Sequence, residues 1–583
     1  MKIANKEIAG ILYEIGGYLE IKEVQFKPRA YEKAGYSIEN LEEEVSEIYK
    51  KGGLKAVEDI PGVGISIAKK IEELIKTGHL KYYEKLKKSL PVKIGELSSI
   101  EGVGPKMIFK LYKKLKVKNI NDLEKAAKTG KIAKIAGLGK KTEEKILKGI
   151  EFLRKSEGRF LLGSILPLTR LIEDRLRNLK EVDRAAIAGS IRRMQETIGD
   201  LDILVTINSK TKKSSSAKAT EDAVADFFVS MPEIAHVYSK GNTKTMVRLK
   251  NGLDADLRVV PDKSFGAAWQ YFTGDKRHNI TLRVLAEKKK YKLNEYGLWR
   301  GRKLIAGRTE EEIYRVLGMA TPPPEIRTDS GEIQAALKNK LPKLIDYGDV
   351  KGDLQVTTDW TDGENSIEEM AAAAQAAGLK YVAITDHTKS LAMTGGLDEK
   401  KLLKQMAEID KIQKKFPKIK ILKGAEVNIL KNSSLDIKNE VLAKLDVVGI
   451  AVHSHFNLSR AEQTKRIVKA MRNKNADILF HPTGRLIQRR VPYEVDVDEI
   501  IKTAKETGTI LEINADPHRL DLKDEYIRKA VESRIKLAID TDTHNKNNFH
   551  YLEFGIAQAR RGWATKSDII NTQPWKEMLK SLK

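Results

Sequence analysis

Three times in its first 155 residues the chain repeats one pattern, in which an aliphatic residue precedes two glycines set one position apart and a helix-forming run follows. Ile60-Pro61-Gly62-Val63-Gly64 leads into Ile67-Ala68-Lys69-Lys70-Ile71. Ile100-Glu101-Gly102-Val103-Gly104 leads into Met107-Ile108-Phe109-Lys110-Leu111. Ile135-Ala136-Gly137-Leu138-Gly139 leads into Thr142-Glu143-Glu144-Lys145-Ile146. This is the hairpin of a helix-hairpin-helix motif. Glycine permits the tight turn and the close approach of backbone to a phosphate. The following helix offers free N–H groups and a positive dipole end to the same anion. Such contacts hold a nucleic-acid backbone without reading bases, so Gly62, Gly64, Gly102, Gly104, Gly137 and Gly139 are candidate DNA-binding positions.

Charge agrees with this reading. The 583 residues carry a net +25, a balance that favours a polyanionic partner. The excess is concentrated: residues 101–150 hold 14 Lys+Arg against 5 Asp+Glu, whereas residues 1–100 are near neutral. Cysteine is absent, which excludes disulfide staples and thiolate metal sites and fits a reducing cytoplasm. No run of eighteen apolar residues is present, so no membrane span is expected, and the N-terminus lacks a signal-peptide layout.

After the helical start, residues 156–262 change to short runs of period-two polarity, AAIAGS, LDILVTI, TMVRL and DADLRVV, which predict strands. The polar stretch NSKTKKSSSAKATED between them predicts a surface loop. Residues 263–325 return to helix and short strand and end at Thr321-Pro322-Pro323-Pro324, a boundary signal. Beyond a linker at 326–345, residues 346–583 alternate strand and helix as an α/β barrel does. Functional residues of such barrels sit at strand C-terminal ends, where His387, Glu426, His453, His481 and His544 fall.

Asp200 and Asp202 share one face of a predicted strand, because side chains alternate along it. Paired carboxylates repel unless something compensates, and a hard divalent cation is the natural answer. Asp254-Ala255-Asp256-Leu257-Arg258 supplies a further acid, with Asp254 and Asp256 on the same face by period. Ion pairing in a basic protein is the structural alternative.

The order Gly189-Ser190 with Arg193, then Gly199-Asp200-Leu201-Asp202, then Asp256-Leu257-Arg258-Val259-Val260, then Tyr271-Phe272-Thr273-Gly274 resembles a family X DNA polymerase of the DNA polymerase beta type, over residues 1–325. The resemblance implies a multidomain α+β and α/β chain: a lyase-like helical DNA-binding domain at 1–90, a helix-hairpin-helix fingers-type subdomain at 91–155, a nucleotidyltransferase palm at 156–262 and a thumb at 263–325. It implies gap-filling synthesis from dNTPs on primer-template DNA by a cytoplasmic monomer. Asp200, Asp202 and Asp256 would be the catalytic ligands of Mg²⁺ or Mn²⁺, with Asp256 taken over Asp254 because the family acid precedes Leu-Arg-Val-Val. Gly189, Ser190 and Arg193 would hold the triphosphate; Tyr271, Phe272 and Gly274 the sugar side; Asn279 and Arg283 the base and template. Lys70 falls at the family's Schiff-base lysine, and Lys27 and Tyr31 at its phosphate-binding Lys and Tyr, while Ser66 replaces a second phosphate-binding lysine. A nucleotidyltransferase acting on other ends, such as RNA, shares the Gly-Ser and Asp-x-Asp core, and a non-catalytic DNA-binding scaffold is the third reading.

Residues 346–583 resemble the PHP (β/α) barrel that many bacterial and archaeal family X polymerases carry, through Thr385-Asp386-His387, Gly424-Ala425-Glu426, Val452-His453-Ser454, His481-Pro482-Thr483 and Thr541-Asp542-Thr543-His544. The resemblance implies a Mn²⁺ or Zn²⁺ site on Asp362, His387, Glu426, His453, His481, Asp542 and His544, with 3′–5′ exonuclease and phosphoesterase chemistry. The chain departs from the family at its opening His-x-His pair, which here reads Gln355-Val356-Thr357. The departure leaves two expectations open: an attenuated nuclease short of one metal, and an inert barrel kept for DNA handling and packing.

Overall fold

A computed structural model describes residues 3, 5–22, 24–39, 41, 44–98, 100, 103–156, 158–208, 217–391 and 394–583. The chain divides into two compact units, Met1–Glu157 with Gln488–Val491, and Gly158–Ile487 with Pro492–Lys583.

The first unit is helical. Helix Ile65–Thr77 buries Ile67, Ala68, Ile71 and Leu74, an apolar stripe at helical spacing, and stops at Gly78 with φ 72°. Helix Pro105–Leu115 buries Ile108 and Leu111 and leaves its lysines outside. Helix Lys140–Ser156 closes the unit.

The second unit begins with a five-stranded sheet ordered Val182–Ile187, Asp200–Ile207, Asp254–Val259, Lys244–Leu249 and Ile234–Lys240. The two central strands run parallel and their other neighbours antiparallel. Leu201, Ile203 and Val205 of one, and Ala255, Leu257 and Val259 of the other, turn into the core. Period two therefore sends the acids to the opposite face. The loop expected at Asn208–Asp222 is shorter than the sequence suggested. Helix Ala217–Val229 takes its second half, because Thr220, Val224 and Phe228 recur at helical spacing and are buried; residues 209–216 lie outside the described residues.

Residues 262–337 form a smaller body around Leu282, Ala286, Ile313, Tyr314 and Leu317. The stretch 326–345, read from the sequence as a linker, is packed instead. Helix Glu332–Leu337 adds Ile333 and Ala336 to that core, and Ile345 enters the barrel core. Buried apolar side chains on both flanks of the prolines account for the difference.

Seven parallel strands follow in sequence order, from Gly352–Val356 to Leu537–Asp540. Thr357 N–H donates to Thr543 O at 2.9 Å and Val356 bridges Thr543, which brings the last strand back to the first. This is a nearly closed (β/α) barrel. It shares an apolar core with the five-stranded sheet through Leu520, Phe554 and Ala557. Gly163 packs so close to Pro517 that an added Cβ would sit 2.5 Å from it.

Candidate functional site

Strand register makes the first site. Asp200 stands opposite Asp254, and Asp202 opposite Asp256. The four carboxylates are not equivalent. Asp254 is held by Arg248, from Nε at 2.8 Å and Nη2 at 2.9 Å, and by the Tyr238 hydroxyl at 3.1 Å. Hydrogen bonding to Arg248 keeps its carboxyl below the usual aspartate range. Asp202 is pushed up to about 7, by burial first and then by Asp200 and Asp256. Asp200, Asp202 and Asp256 are therefore near enough to repel one another, while Asp254 is held by Arg248 and Tyr238 at the edge. Among the described residues the cations paired with Asp256 are Lys244, at 3.1 Å, and Arg258, at 3.4 Å. The sequence reading missed both. These cations offset the charge only in part, since Asp202 stays raised, and an oxygen-only donor set of that kind fits hard divalent cations.

Gly189 (φ 64°) opens the turn beside this cluster, and an added Cβ would lie 2.8 Å from Asp202 Oδ2. Only glycine lets the turn approach the acid so closely. Ser190 follows in the short helix Gly189–Arg192. Arg193 is largely buried and donates to Thr273 O; its Nη1 lies 3.1 Å from the Cβ position of Gly274 (φ 67°). The expected triphosphate and sugar residues are thus adjacent. Tyr271 and Phe272 pack edge to face with centroids 5.2 Å apart. Asn279 donates to Tyr271 O at 2.7 Å and accepts from Gln270 at 2.7 Å, which orients its amide. Arg283 is exposed one turn on, its Nε 3.4 Å from Asn279 O. A buried pairing behind these residues carried no local signal. Glu310 takes Arg192 at 2.6 Å and Arg327 at 2.6 Å. Burial alone would raise its carboxyl, but Arg327 and Arg192 hold it at about 2.

In the first unit, Gly62 and Gly137 have φ 79° and 80°, and Gly64 and Gly104 are extended helix N-caps without a side-chain cap. An added Cβ at Gly64, Gly104 or Gly139 would meet nothing within 4 Å, so these backbones face open space. Gly102 lies outside the described residues. Lys70 donates to Ser66 O at 2.9 Å and Oγ at 3.1 Å and lies over the Tyr82 and Tyr31 rings at 5.2 and 5.9 Å. Burial, then the charge of Lys27, lowers its pKa. Lys27 is exposed, whereas Tyr31 is buried and pushed up to about 12 by that burial.

The barrel mouth assembles the second site. Asp362, His387 and His544 form one group able to hold a metal, and His387, Glu426 and His453 another. Glu426 Oε1 lies 2.9 Å from His453 Nε2 and 2.8 Å from His481 Nε2, and Oε2 lies 3.2 Å from His387 Nδ1. His453 Nδ1 faces Asn428 Oδ1 at 2.8 Å, and His544 Nδ1 faces Asp542 O at 2.8 Å. Both histidines therefore present Nε2 to the site. His481 and Asp542 adopt positive φ, 29° and 54°, and such strain collects at functional sites. Asp542 belongs to neither group and pairs with Arg519 at 3.1 Å. Gln355 and Thr357 are fully buried. Asp386, inside the Thr-Asp-His motif, accepts from Thr358, Thr361 and Gln405 and so shapes the strand end.

Asn428 donates its amide to Thr388 and Asp436, so its oxygen is the atom left for His453. Asn428→Leu is expected to weaken Mn²⁺ binding in the barrel about 10–100-fold. Calorimetric titration checks this, and a change below about twofold would mean that something else orients His453.

A Bacillus subtilis protein named DNA polymerase/3′-5′ exonuclease PolX is 35% identical over 583 residues, 99% of each chain. The chain belongs to the family X DNA polymerases that carry a PHP domain. Family descriptions match four stretches: a helix-hairpin-helix domain at 3–80, a SAM-like helix-hairpin-helix tandem at 94–151, a DNA polymerase beta thumb at 268–328 and a PHP domain at 353–516. The barrel also matches shorter proteins. A probable phosphatase of Thermoanaerobacter sp. is 29% identical over 231 residues, 38% of this chain and 89% of the relative. One of Acetivibrio thermocellus is 27% identical over 190 residues, 31% and 73% of the two chains. Family X polymerases and PHP proteins are metal-dependent, and helix-hairpin-helix domains bind DNA. No helix among the described residues is long and apolar enough to cross a membrane.

Proposed function

We propose that this family X polymerase fills short gaps in DNA during repair, as a cytoplasmic monomer, by transferring nucleotides from dNTPs to a primer 3′ end. The observation that carries this is the convergence of Asp200, Asp202 and Asp256, with Asp202 pushed up to about 7, against the Gly189 turn. The three acids would hold two Mg²⁺ or Mn²⁺ ions. Such ions lower the pKa of an attacking hydroxyl and neutralise a leaving pyrophosphate. Gly189 gives the triphosphate room, Ser190 and Arg193 bind it, and Arg192 through Glu310 fixes the turn that carries them. Tyr271, Phe272 and Gly274 form the sugar wall, and Asn279 holds that wall to the helix bearing Arg283. We retain the division 1–90, 91–155, 156–262 and 263–325, with the PHP domain from 346.

The barrel would use Mn²⁺ or Zn²⁺ for hydrolysis at a DNA 3′ end. The donor set fits: Glu426 Oε2 and His387 Nδ1 face each other at 3.2 Å, and both are buried without making a hydrogen bond. It fits at the two overlapping groups and not at Gln355 and Thr357, so the activity is attenuated relative to a full set. The test is a primer on a one-nucleotide gapped template, with Mg²⁺ or Mn²⁺, with and without dNTPs. Templated extension, and shortening when dNTPs are withheld, are expected. Extension without shortening would assign the barrel to packing and DNA handling. Template-independent addition, or extension of RNA ends alone, would point to another nucleotidyltransferase, and no incorporation to a scaffold.

Lys70 supports a further role on a 5′-deoxyribose phosphate, because its lowered pKa favours the free amine that Schiff-base formation needs. Borohydride is expected to trap a covalent complex with an incised abasic site in the wild type and to lose it in Lys70→Ala. Equal trapping in both would remove Lys70 from that role.

A further inference from the structure

Behind the nucleotide pocket, four helices of the smaller body meet at one buried chain of hydrogen bonds. Glu332 opens the helix Glu332–Leu337, His278 lies in Lys276–Lys288, Tyr314 in Glu310–Val316 and Gln270 in Phe265–Thr273. Glu332, His278 and Tyr314 are fully buried and Gln270 nearly so. The Glu332 carboxylate accepts from Asp329 N–H at 2.9 Å and Ser330 N–H at 2.8 Å, and its Oε1 lies 2.6 Å from His278 Nδ1. His278 Nε2 lies 2.9 Å from the Tyr314 hydroxyl. Gln270 hydrogen-bonds Tyr314 and donates to Asn279 Oδ1 at 2.7 Å. Asn279 Nδ2 in turn donates to Tyr271 O at 2.7 Å.

Counting donors and acceptors fixes the direction of this chain. A carboxylate only accepts, so Nδ1 of His278 carries a hydrogen. Burial lowers the His278 pKa, which keeps the ring neutral and leaves Nε2 as an acceptor. The Tyr314 hydroxyl therefore donates to Nε2, and its oxygen accepts from the Gln270 amide. The second hydrogen of that amide goes to Asn279 Oδ1. Asn279 is left with its oxygen taken, one N–H on Tyr271 O, and one N–H that no described residue takes.

We propose that His278, held by Glu332 and acting through Tyr314 and Gln270, is a positioning residue that makes Asn279 present an N–H donor to the incoming nucleotide. The partner it fits is an acceptor on the minor-groove edge of the base, N3 of a purine or O2 of a pyrimidine, which either orientation of a base pair offers. A donor at that edge holds a correctly paired nucleotide without preferring a sequence. Each link of a fully satisfied buried chain supports the next, so losing the Tyr314 hydroxyl frees the Gln270 and Asn279 amides to turn. The inference rests on the nucleotidyl-transfer reading, which puts Asn279 in the pocket.

The test compares dATP with 3-deaza-dATP, in which C–H replaces N3, in single-turnover incorporation opposite dT in a one-nucleotide gap. The wild type is expected to use the analogue about threefold to tenfold less efficiently, the worth of one hydrogen bond. Tyr314→Phe removes one hydroxyl and keeps the ring. It should weaken the apparent affinity for dATP by about that factor, leave the maximal rate nearly unchanged, and shrink the difference between the two nucleotides to less than about twofold. His278→Asn keeps a donor for Glu332 and removes the acceptor for Tyr314, so it should behave in the same way. A merely structural defect would slow both nucleotides alike. An undiminished difference in both variants overturns the proposal, and so does equal use of the two nucleotides by the wild type. A crystal structure of Tyr314→Phe reads the relay apart from activity: the Asn279 amide is expected to leave Tyr271 O, and an amide that stays in place overturns the relay. A wild type that incorporates neither nucleotide would instead sink the polymerase reading, and the crystal structure would still decide the relay.

Discussion

Asp256→Ala is expected to lower single-turnover incorporation on gapped DNA about a thousandfold or more, and Asp254→Ala less than about tenfold. Loss of a metal ligand removes several kcal/mol of charge stabilisation from the transferring phosphoryl group, and ~4 kcal/mol is a factor of about a thousand. Both aspartates lie on the same face of one strand, so sequence period treats them alike. Their surroundings do not. Asp254 is matched by Arg248 and Tyr238 at the outer side, and its removal leaves an exposed arginine that water can solvate. Asp256 stands opposite Asp202 and contributes to the repulsion that pushes Asp202 to about 7. Removing Asp256 should therefore also relax Asp202 towards an ordinary aspartate while destroying the cation site. Circular dichroism on both variants guards against misfolding. A larger loss in Asp254→Ala would overturn the choice of ligand.

Glu196→Ala is expected to cost the second unit about 3–5 kcal/mol, the range for breaking a buried ion pair, here that of Arg485, while Arg561 keeps Asp524 at 3.1 Å. Glu196 lies between the turn carrying Arg193 and the strand carrying Asp200, yet its partners come from the barrel. Arg485 reaches it at 2.6 Å, Arg561 at 3.2 Å and Gln558 at 3.1 Å. Arg485 follows His481 by four positions and donates to Leu520 O, next to Arg519; Arg561 donates to Met194 O. Burial opposes ionisation of Glu196, but Arg485 and Arg561 outweigh it and hold the carboxyl below its ordinary value. A depressed carboxyl stabilises the fold above the unfolded glutamate range, and that contribution is lost as pH falls through the lower folded value. Urea unfolding at pH 7 should show the full deficit in Glu196→Ala, and the gap from wild type should narrow in acid. A deficit below about 1 kcal/mol at pH 7 would show that the cluster is solvated enough to be dispensable. Because one cluster braces both the Gly189–Glu196 turn and the His481–Arg485 loop, the variant should impair incorporation and barrel metal binding together.

Much of the chain was legible in order along the sequence. Glycine pairs ahead of lysine-rich helices, the Asp200-Leu201-Asp202 alternation and the repeated strand-then-helix runs all express rules that act within a few residues. The helix Ala217–Val229 was missed because its Ser/Lys-rich approach masked an apolar stripe, and the packed stretch 326–345 because proline punctuation outweighed its aliphatic residues. Arg519 and Glu196 gave no signal at all. Each is one charged residue among many, and its meaning depends on a partner 23 or 289 positions away.

By itself the sequence determined the hairpins, the face on which the aspartates lie, the barrel strand ends that carry His387, Glu426, His453, His481 and His544, and the loss of the His-x-His pair. Those properties follow from backbone period and from which residue types can turn, cap or ligate. Only the tertiary structure decided that Asp254 is spent on Arg248, that Asp542 is met by Arg519, and that Glu196 ties the polymerase sheet to the barrel. These are cross-strand and cross-domain pairings, set when the sheet register closes and burial removes water as the competing partner.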